Sequence, residues 1–228
     1  MIDFYFAPTP NGLKLRLFLE EAQLPHRVVR VHLSKREQFR PEFLAISPNN
    51  KIPAIVDHEP RDGGAPLAMF ESGAIMLYLA EKIGRFIPTD VRARAEVLQW
   101  LFWQVSGLGP MGGQIEHFNL YATERVPYAI ERYTRETRRL FGVLDRRLDG
   151  REFIAGEHSI ADIACYPWIV PHAVVGAQQI LHVVAELVGD HVGLSEVARR
   201  AKSLRQLRKE TEIEVHLAIA GTVEGTGG

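Results

Sequence analysis

Two short runs carry residue types suited to holding a small charged peptide. Asn50-Lys51-Ile52-Pro53-Ala54-Ile55 reads as a turn entering a short strand, with a proline at the strand's first residue. Proline has no N–H for a ladder and is confined to edges and strand starts. A cis X-Pro bond here would turn the backbone of Ile52 away from the sheet. Its N–H and C=O could then pair with an extended peptide, as an added strand would. Phe70-Glu71-Ser72-Gly73-Ala74-Ile75 ends a strand and opens a helix. Helix N-termini present free N–H groups and a partial positive charge, so the Ser72 amide and hydroxyl suit a carboxylate. Glu71 beside it suits an ammonium. Taken singly, the first run is an ordinary edge strand and the second an ordinary N-cap with an acidic first turn. Their order and their closeness in sequence favour one site that holds both ends of an amino-acid head group, with a peptide backbone against Ile52.

Glutathione has that shape. The elements that would position these runs can be read around them. Ile2-Asp3-Phe4-Tyr5-Phe6 alternates and reads as a strand. Thr9 is a plausible N-cap and Pro10 suits a first helical position, ahead of an apolar-rich helix from Leu13 to Glu21. Val28 to His32 is strand-like, and Glu37 to Leu44 is a short helix or irregular. Ala54–Asp57 and Leu67–Phe70 read as a hairpin joined through Asp62-Gly63-Gly64. Ser72 to Ile83 is a helix with Ile75, Leu79 and Ile83 on one stripe. The order β-α-β-α-β-β-α fits a small mixed sheet with flanking helices, an α/β unit over residues 1–83. Residues 84–90, with Gly84 and Pro88, read as a linker. Residues 91–220 read as all-helical, with a helix over Val91–Val105, a break or kink at Leu108–Gly113, and a long helix, opened by Pro127, from Tyr128 to about Leu148. Ser159-Ile160-Ala161-Asp162 resembles a capping box with Asp at its fourth position, opening a buried helix. Residues 221–228 lack apolar content and read as a disordered tail.

The bulk numbers exclude several classes. The 228 residues are 46% apolar, enough for a proper core. Basic and acidic residues nearly cancel, 27 against 28, with no Lys/Arg-rich run, which argues against nucleic acid or an anionic membrane as partner. No apolar stretch is long enough to span a bilayer and no basic-then-apolar leader precedes Asp3, so a cytoplasmic protein is expected. One cysteine, Cys165, excludes an intrachain disulfide and a Cys-rich metal site. The nine histidines show no metal spacing, and His117 beside Phe118 reads as a structural or solvated loop histidine.

The chain resembles the glutathione transferases, and within them the nu class. The carrying residues are Thr9-Pro10-Asn11-Gly12, Phe39-Arg40-Pro41-Glu42-Phe43, Ser47 to Ile55, Phe70 to Ile75, Gly109-Pro110-Met111 with Gln114, and Pro127 to Tyr133. The Thr-Pro-Asn-Gly turn and the Gly-Pro-Met segment point to the nu class; Ile-Pro and Glu-Ser are general to the superfamily. The resemblance is dense from Met1 to about Trp168 and weakens beyond it, where the run from Val174 to Val197 lacks the family's Pro- and Trp-bearing stretch; Arg199 to Arg208 is basic and helix-compatible. It implies a thioredoxin-like N-terminal domain, an all-helical C-terminal domain and a homodimer. It also implies that Ile52 contacts the cysteinyl backbone of glutathione and that Glu71 and Ser72 hold the γ-glutamyl end. Gln38 and Lys51 would sit near the glycyl end, Thr9 and Asn11 at the sulfur, and Arg132 would reach the opposite subunit's site.

Thioredoxin-like oxidoreductases place a Cys-Pro-x-Cys or similar motif after the first strand; here Thr9-Pro10-Asn11-Gly12 carries no thiol. Cys165 lies in the other domain and reads as a small buried apolar residue. A redox reaction must therefore use the substrate's own thiol. The Thr9 hydroxyl and the Asn11 amide could each donate to a glutathione thiolate, and the helix N-terminus adds positive potential that lowers the thiol pKa. The competing reading has Thr9 only capping the helix and Asn11 filling a turn. Tyr5 is a further candidate activator, but a residue inside the first strand fits the core or a sheet face better. Two glutathiones binding in sequence would give disulfide reduction. Conjugation to electrophiles or a peroxidase reaction would need the same thiolate. A binding module that has lost catalysis is the competing class, and the intact Glu71-Ser72 pair and thiol-side residues argue against it.

Overall fold

The computed structural model describes residues 1–169. The expectations for residues 174–197, for Arg199 to Arg208 and for the 221–228 tail lie outside these. The described chain divides into two compact units, residues 1–113 with 153–168, and residues 114–152.

In the first unit, β1 (Ile2–Phe6) leads through α1 (Pro10–Ala22) to β2 (His26–Arg30). Two single 3₁₀ turns, Leu33–Lys35 and Glu37–Phe39, and the short α2 (Pro41–Leu44) follow. Next come β3 (Ala54–Asp57), β4 (Leu67–Phe70) and α3 (Ser72–Ile83). The sheet order is β2-β1-β3-β4; β1 and β2 run parallel, and β3 is antiparallel to both its neighbours. This is the expected β-α-β-α-β-β-α order. Phe4 and Ile55 from the sheet, Leu15, Phe18 and Leu19 from α1, and Ile75, Met76 and Leu79 from α3 are fully buried. Each such side chain contributes about 1.5–3 kcal/mol of burial. Asp57, also buried, anchors β3 to α3 by accepting from Tyr78 Oη at 2.7 Å and Lys82 Nζ at 2.5 Å.

Two elements differ from the sequence reading. The second strand runs two residues earlier than Val28–His32. Gln23 turns left-handed just after α1, and the pairing Ile2↔His26 through Phe6↔Arg30 fixes the strand to the length of β1. Of the break or kink expected at Leu108–Gly113, the break does not occur: the helix runs on through an irregular turn. α4 (Val91–Trp103) passes through a π turn, Gln104–Leu108, into α5 (Gly109–Glu116). The Gly109 N–H donates to the Gln104 carbonyl, and Pro110 falls in the first turn of α5, where a missing N–H is tolerated. The final element of this unit is α7 (Ile160–Ile169). Its capping box forms as expected: the Ala161 N–H donates to Ser159 Oγ at 3.3 Å and the Ser159 N–H to Asp162 Oδ2 at 3.0 Å.

The second unit holds a π turn at His117–Tyr121 and the long α6 (Pro127–Leu148). His117 thus sits in a helical turn rather than a loop, edge-on to Phe118, which stacks on Tyr133 at 5.5 Å. Thr134, Thr137, Leu140, Phe141 and Leu144 form the buried stripe of α6.

Candidate functional site

The sheet register places three of the sequence's candidate runs at one end. Tyr5 pairs with Ala54, and Ala54 with Phe70, in a single row across β1, β3 and β4. The turn at Thr9 leaves the sheet just beyond that row. Ile52 enters just before it, and Glu71-Ser72 follows directly. The Ile52–Pro53 bond is cis. The Ile52 side chain packs with Ala7, Val31, Phe43 and Ala54, while the ladder begins only at Ala54. The residue is thus fixed through its side chain, and its backbone stands outside the sheet's hydrogen bonding. Ser47 Oγ donates to the Lys51 carbonyl at 2.9 Å and steadies the approach to Ile52. Lys51 itself is exposed.

Glu71 is the N-cap of α3, at φ 70° and ψ 110°, with no capping hydrogen bond from its side chain. A non-glycine residue in that region is strained, a state associated with ligand clamps. The first backbone bond of α3 is Ile75 N–H to the Glu71 carbonyl. Among the described residues the N–H groups of Ser72, Gly73 and Ala74 have no partner, so an anion could take them. Ser72 is buried and Glu71 exposed, so the carboxylate of Glu71 stays available for an ammonium.

At the first turn of α1, Thr9 Oγ1 accepts the Gly12 N–H at 3.2 Å. The capping role of Thr9 is therefore real, and its hydroxyl proton remains to be donated. Asn11 is half-exposed, and its side chain bonds to no described residue. A Cβ on Gly12 would stand 2.2 Å from the Ala7 carbonyl oxygen. Glycine is required there for α1 to start this close to the end of β1. Tyr5 packs edge-on to Phe43 at 5.9 Å, and burial pushes its phenol up, away from a thiol-activating base.

Gln38 lies in the 3₁₀ turn Glu37–Phe39, with a buried Oε1 that has no partner among the described residues. Arg132 belongs to the second unit, on the exposed side of α6 next to Glu131 and Arg135. Cys165 is 1% exposed in α7, and burial drives its thiol far up. Among the described residues no group of three His, Cys, Asp or Glu side chains could hold a metal ion, and no helix is long and apolar enough to cross a membrane.

Sequence reading missed Lys14. Its side chain is 1% exposed, and its Nζ donates to Gln104 Oε1 at 2.5 Å. The signal was available: Lys14, Phe18 and Ala22 recur at helical spacing on the buried face of α1. The acid–histidine pair Glu21 and His158, 3.4 Å apart, was missed as well.

A thioredoxin-like sheet with the candidate runs gathered at one end, followed by helices, defines a fold class, and comparison with known proteins places the chain within it. Residues 9–82 match the family described as Glutathione S-transferase, N-terminal domain. The chain is 65% identical over 170 residues to the disulfide-bond oxidoreductase YfcG of Escherichia coli (strain K12), covering 74% of this chain and 79% of that protein. It is 42% identical to the disulfide-bond oxidoreductase YghU of the same organism, over 73% of this chain and 59% of that one. A glutathione transferase family member from Pseudomonas fluorescens, solved with two glutathiones bound, superposes with a TM-score of 0.78 at 41% identity, over 94% of this chain and 91% of that one. A glutathione transferase from Pseudomonas putida, solved with one glutathione disulfide per subunit, gives 0.72 at 37% identity, over 99% of this chain and 87% of that one. This protein belongs to the glutathione transferase family.

Proposed function

We propose that this protein is a glutathione-dependent disulfide-bond oxidoreductase that uses bound glutathione thiolate in place of a protein cysteine. The observation that carries the reading is the sheet end where Thr9-Asn11, Ile52 and Glu71-Ser72 meet, with no thiol in the turn that carries one in cysteine-dependent relatives of the fold. Glu71 would take the γ-glutamyl ammonium, and Ser72 with the free N–H groups of α3 the carboxylate. The Ile52 backbone would pair with the cysteinyl residue, and Gln38 and Lys51 would face the glycyl end.

At the sulfur, the Thr9 O–H and Asn11 N–H donate to the thiolate at the start of α1. The thiolate attacks one sulfur of the substrate disulfide, forming a mixed disulfide and expelling the other half as a thiolate. A second glutathione thiolate attacks the glutathione sulfur of the mixed disulfide, releasing the second substrate thiolate and leaving oxidised glutathione. Electrons pass from two glutathiones to the disulfide, and both expelled thiolates take up protons. Relatives solved with two glutathiones or one glutathione disulfide support a site sized for both molecules.

The Thr-Pro-Asn-Gly and Gly-Pro-Met segments support placement in the nu class. The domain division we propose is residues 1–83 for the thioredoxin-like part, 84–90 for the linker, and 91–220 for the helical part. A cytoplasmic homodimer, with Arg132 reaching the partner's site, completes the proposal. The test is a crystal structure with glutathione added. One or two tripeptides, or the oxidised form, lying between Thr9, Ile52 and Glu71-Ser72 supports the reading. A site empty at millimolar glutathione overturns it.

A further inference from the structure

The first unit encloses a cation beneath the turn that carries Thr9 and Asn11, and the established chemistry of disulfide exchange leaves it without a role. Lys14 lies one turn after Asn11, and residues three apart are neighbours on a helix face. Its ammonium donates to Gln104 Oε1 and lies 5.9 Å from the centre of the Trp168 ring. Gln104 is 0% exposed, and its Nε2 has no partner among the described residues; neither has the buried Nε1 of Trp168. Gln104 Oε1 is the one hydrogen-bond acceptor identified for the ammonium among the described residues. A buried cation so poorly supplied with acceptors is costly.

The surrounding chain is shaped to keep it there. The π turn carries Gln104 inward, and such turns concentrate at functional sites. Trp168 lies flat enough on α5 that a Cβ on Gly112 would stand 2.9 Å from its ring. Met, the apolar side chain of similar length, would fill the same space without a charge. The Gly-Pro-Met-Gly-Gly segment thus acquires a packing role: it admits the tryptophan that closes over Lys14.

We propose that Lys14 supplies the buried positive charge that stabilises the glutathione thiolate at Thr9 and Asn11. The inference rests on the reading above that glutathione binds there. Lys14 does not touch the substrate; it is a positioning residue that acts through the field at the sulfur and through the helix turn it secures. The titratable groups that face it are Glu71 at the start of α3 and Cys165 of α7. Burial pulls the lysine down to about 7 and Glu71 opposes that shift, while Cys165, held protonated by its own burial, carries no charge at neutral pH. A second negative charge, the thiolate, would hold its proton more firmly, and by reciprocity the charged lysine holds the thiol ionised.

The test follows the ultraviolet absorbance of the bound thiolate against pH in the wild type, Lys14→Met, Lys14→Arg and Gln104→Glu, with glutathione affinity measured in parallel by calorimetry. Lys14→Met should raise the bound thiol pKa by about one unit, as expected when a unit charge is removed from a partly desolvated site. Gln104→Glu should raise it in the same direction by neutralising the lysine in place. Lys14→Arg should restore most of the wild-type value. A purely structural lysine would change the melting temperature and leave the thiol pKa alone. If Lys14→Met does not fold, Gln104→Glu decides. Glutathione binding with an unmoved thiol pKa overturns this inference alone, whereas a wild type that binds no glutathione overturns it together with the reading on which it rests.

Discussion

Thr9 Oγ1 and the Gly12 N–H stand 3.2 Å apart, so the hydroxyl caps α1 with its lone pair and keeps its proton for another acceptor. Asn11 has no such second duty. Thr9→Ala should therefore lower both stability, by about 1 kcal/mol for a lost cap, and thiolate formation. Asn11→Ala should lower turnover at least as much with little change in stability. Both should reduce kcat more than glutathione affinity, because their donors face the charge that reacts. Steady-state kinetics beside thermal melts separate the two effects. Equal thiol pKa values in the wild type and the double variant would remove both residues from sulfur activation.

Ser72→Ala should weaken glutathione binding by about 1–3 kcal/mol, the size of a charge-assisted hydrogen bond to a carboxylate. Glu71→Gln should act similarly through the ammonium. Titration calorimetry gives both numbers. Wild-type affinity in both variants would mean that the start of α3 is an ordinary, strained N-cap.

The motifs at the sheet end were legible because each is local: a proline before a strand, an acid and a serine opening a helix, a capped turn after the first strand. Their convergence could be expected, but the row Tyr5–Ala54–Phe70 that produces it appears only when the strands pair. The π turn at Gln104 escaped notice because Pro110 and its neighbouring glycines are, locally, helix breakers. Packing of Trp168 and the Gly109 N–H bond to Gln104 override that preference. Lys14 was hidden for a related reason: a single lysine in an apolar stretch is ordinarily a solvated end that snorkels out.

Glu21 carries a stability signature. Burial, with Asp162 adding to it, pushes its carboxyl up to about 7, against an unfolded value of about 4.3. The folded state therefore binds more protons between those values, and stability falls as pH rises through that window. Lys14 contributes the opposite sign, a rise in stability with pH, but above about 7, where its folded and unfolded values diverge. Between pH 5 and 7, Glu21→Gln should thus lose stability less steeply than the wild type. Urea unfolding at several pH values measures it, and parallel curves for the two proteins would contradict the assignment.

Arg132 tests the shared-site part of the proposal. On the exposed side of α6 it would ordinarily be one of a solvated charged set. Its guanidinium fork suits the carboxylate of a second glutathione. Arg132→Ala should weaken oxidised glutathione by roughly tenfold, about 1.4 kcal/mol, and a single reduced molecule much less. Unchanged affinity for both ligands would return Arg132 to the surface.

The central claim is that the reacting sulfur belongs to glutathione. Cys165 is the chain's one thiol, 1% exposed and held protonated by burial. The direct measurement is glutathione-dependent reduction of a small model disulfide by Cys165→Ser, compared with the wild type at equal folded concentration. Turnover within about twofold of wild type is expected, since a buried hydroxyl changes packing modestly and no step uses the protein thiol. Loss of turnover in a folded variant that still binds glutathione would show that the protein's own cysteine takes part, and would contradict the account.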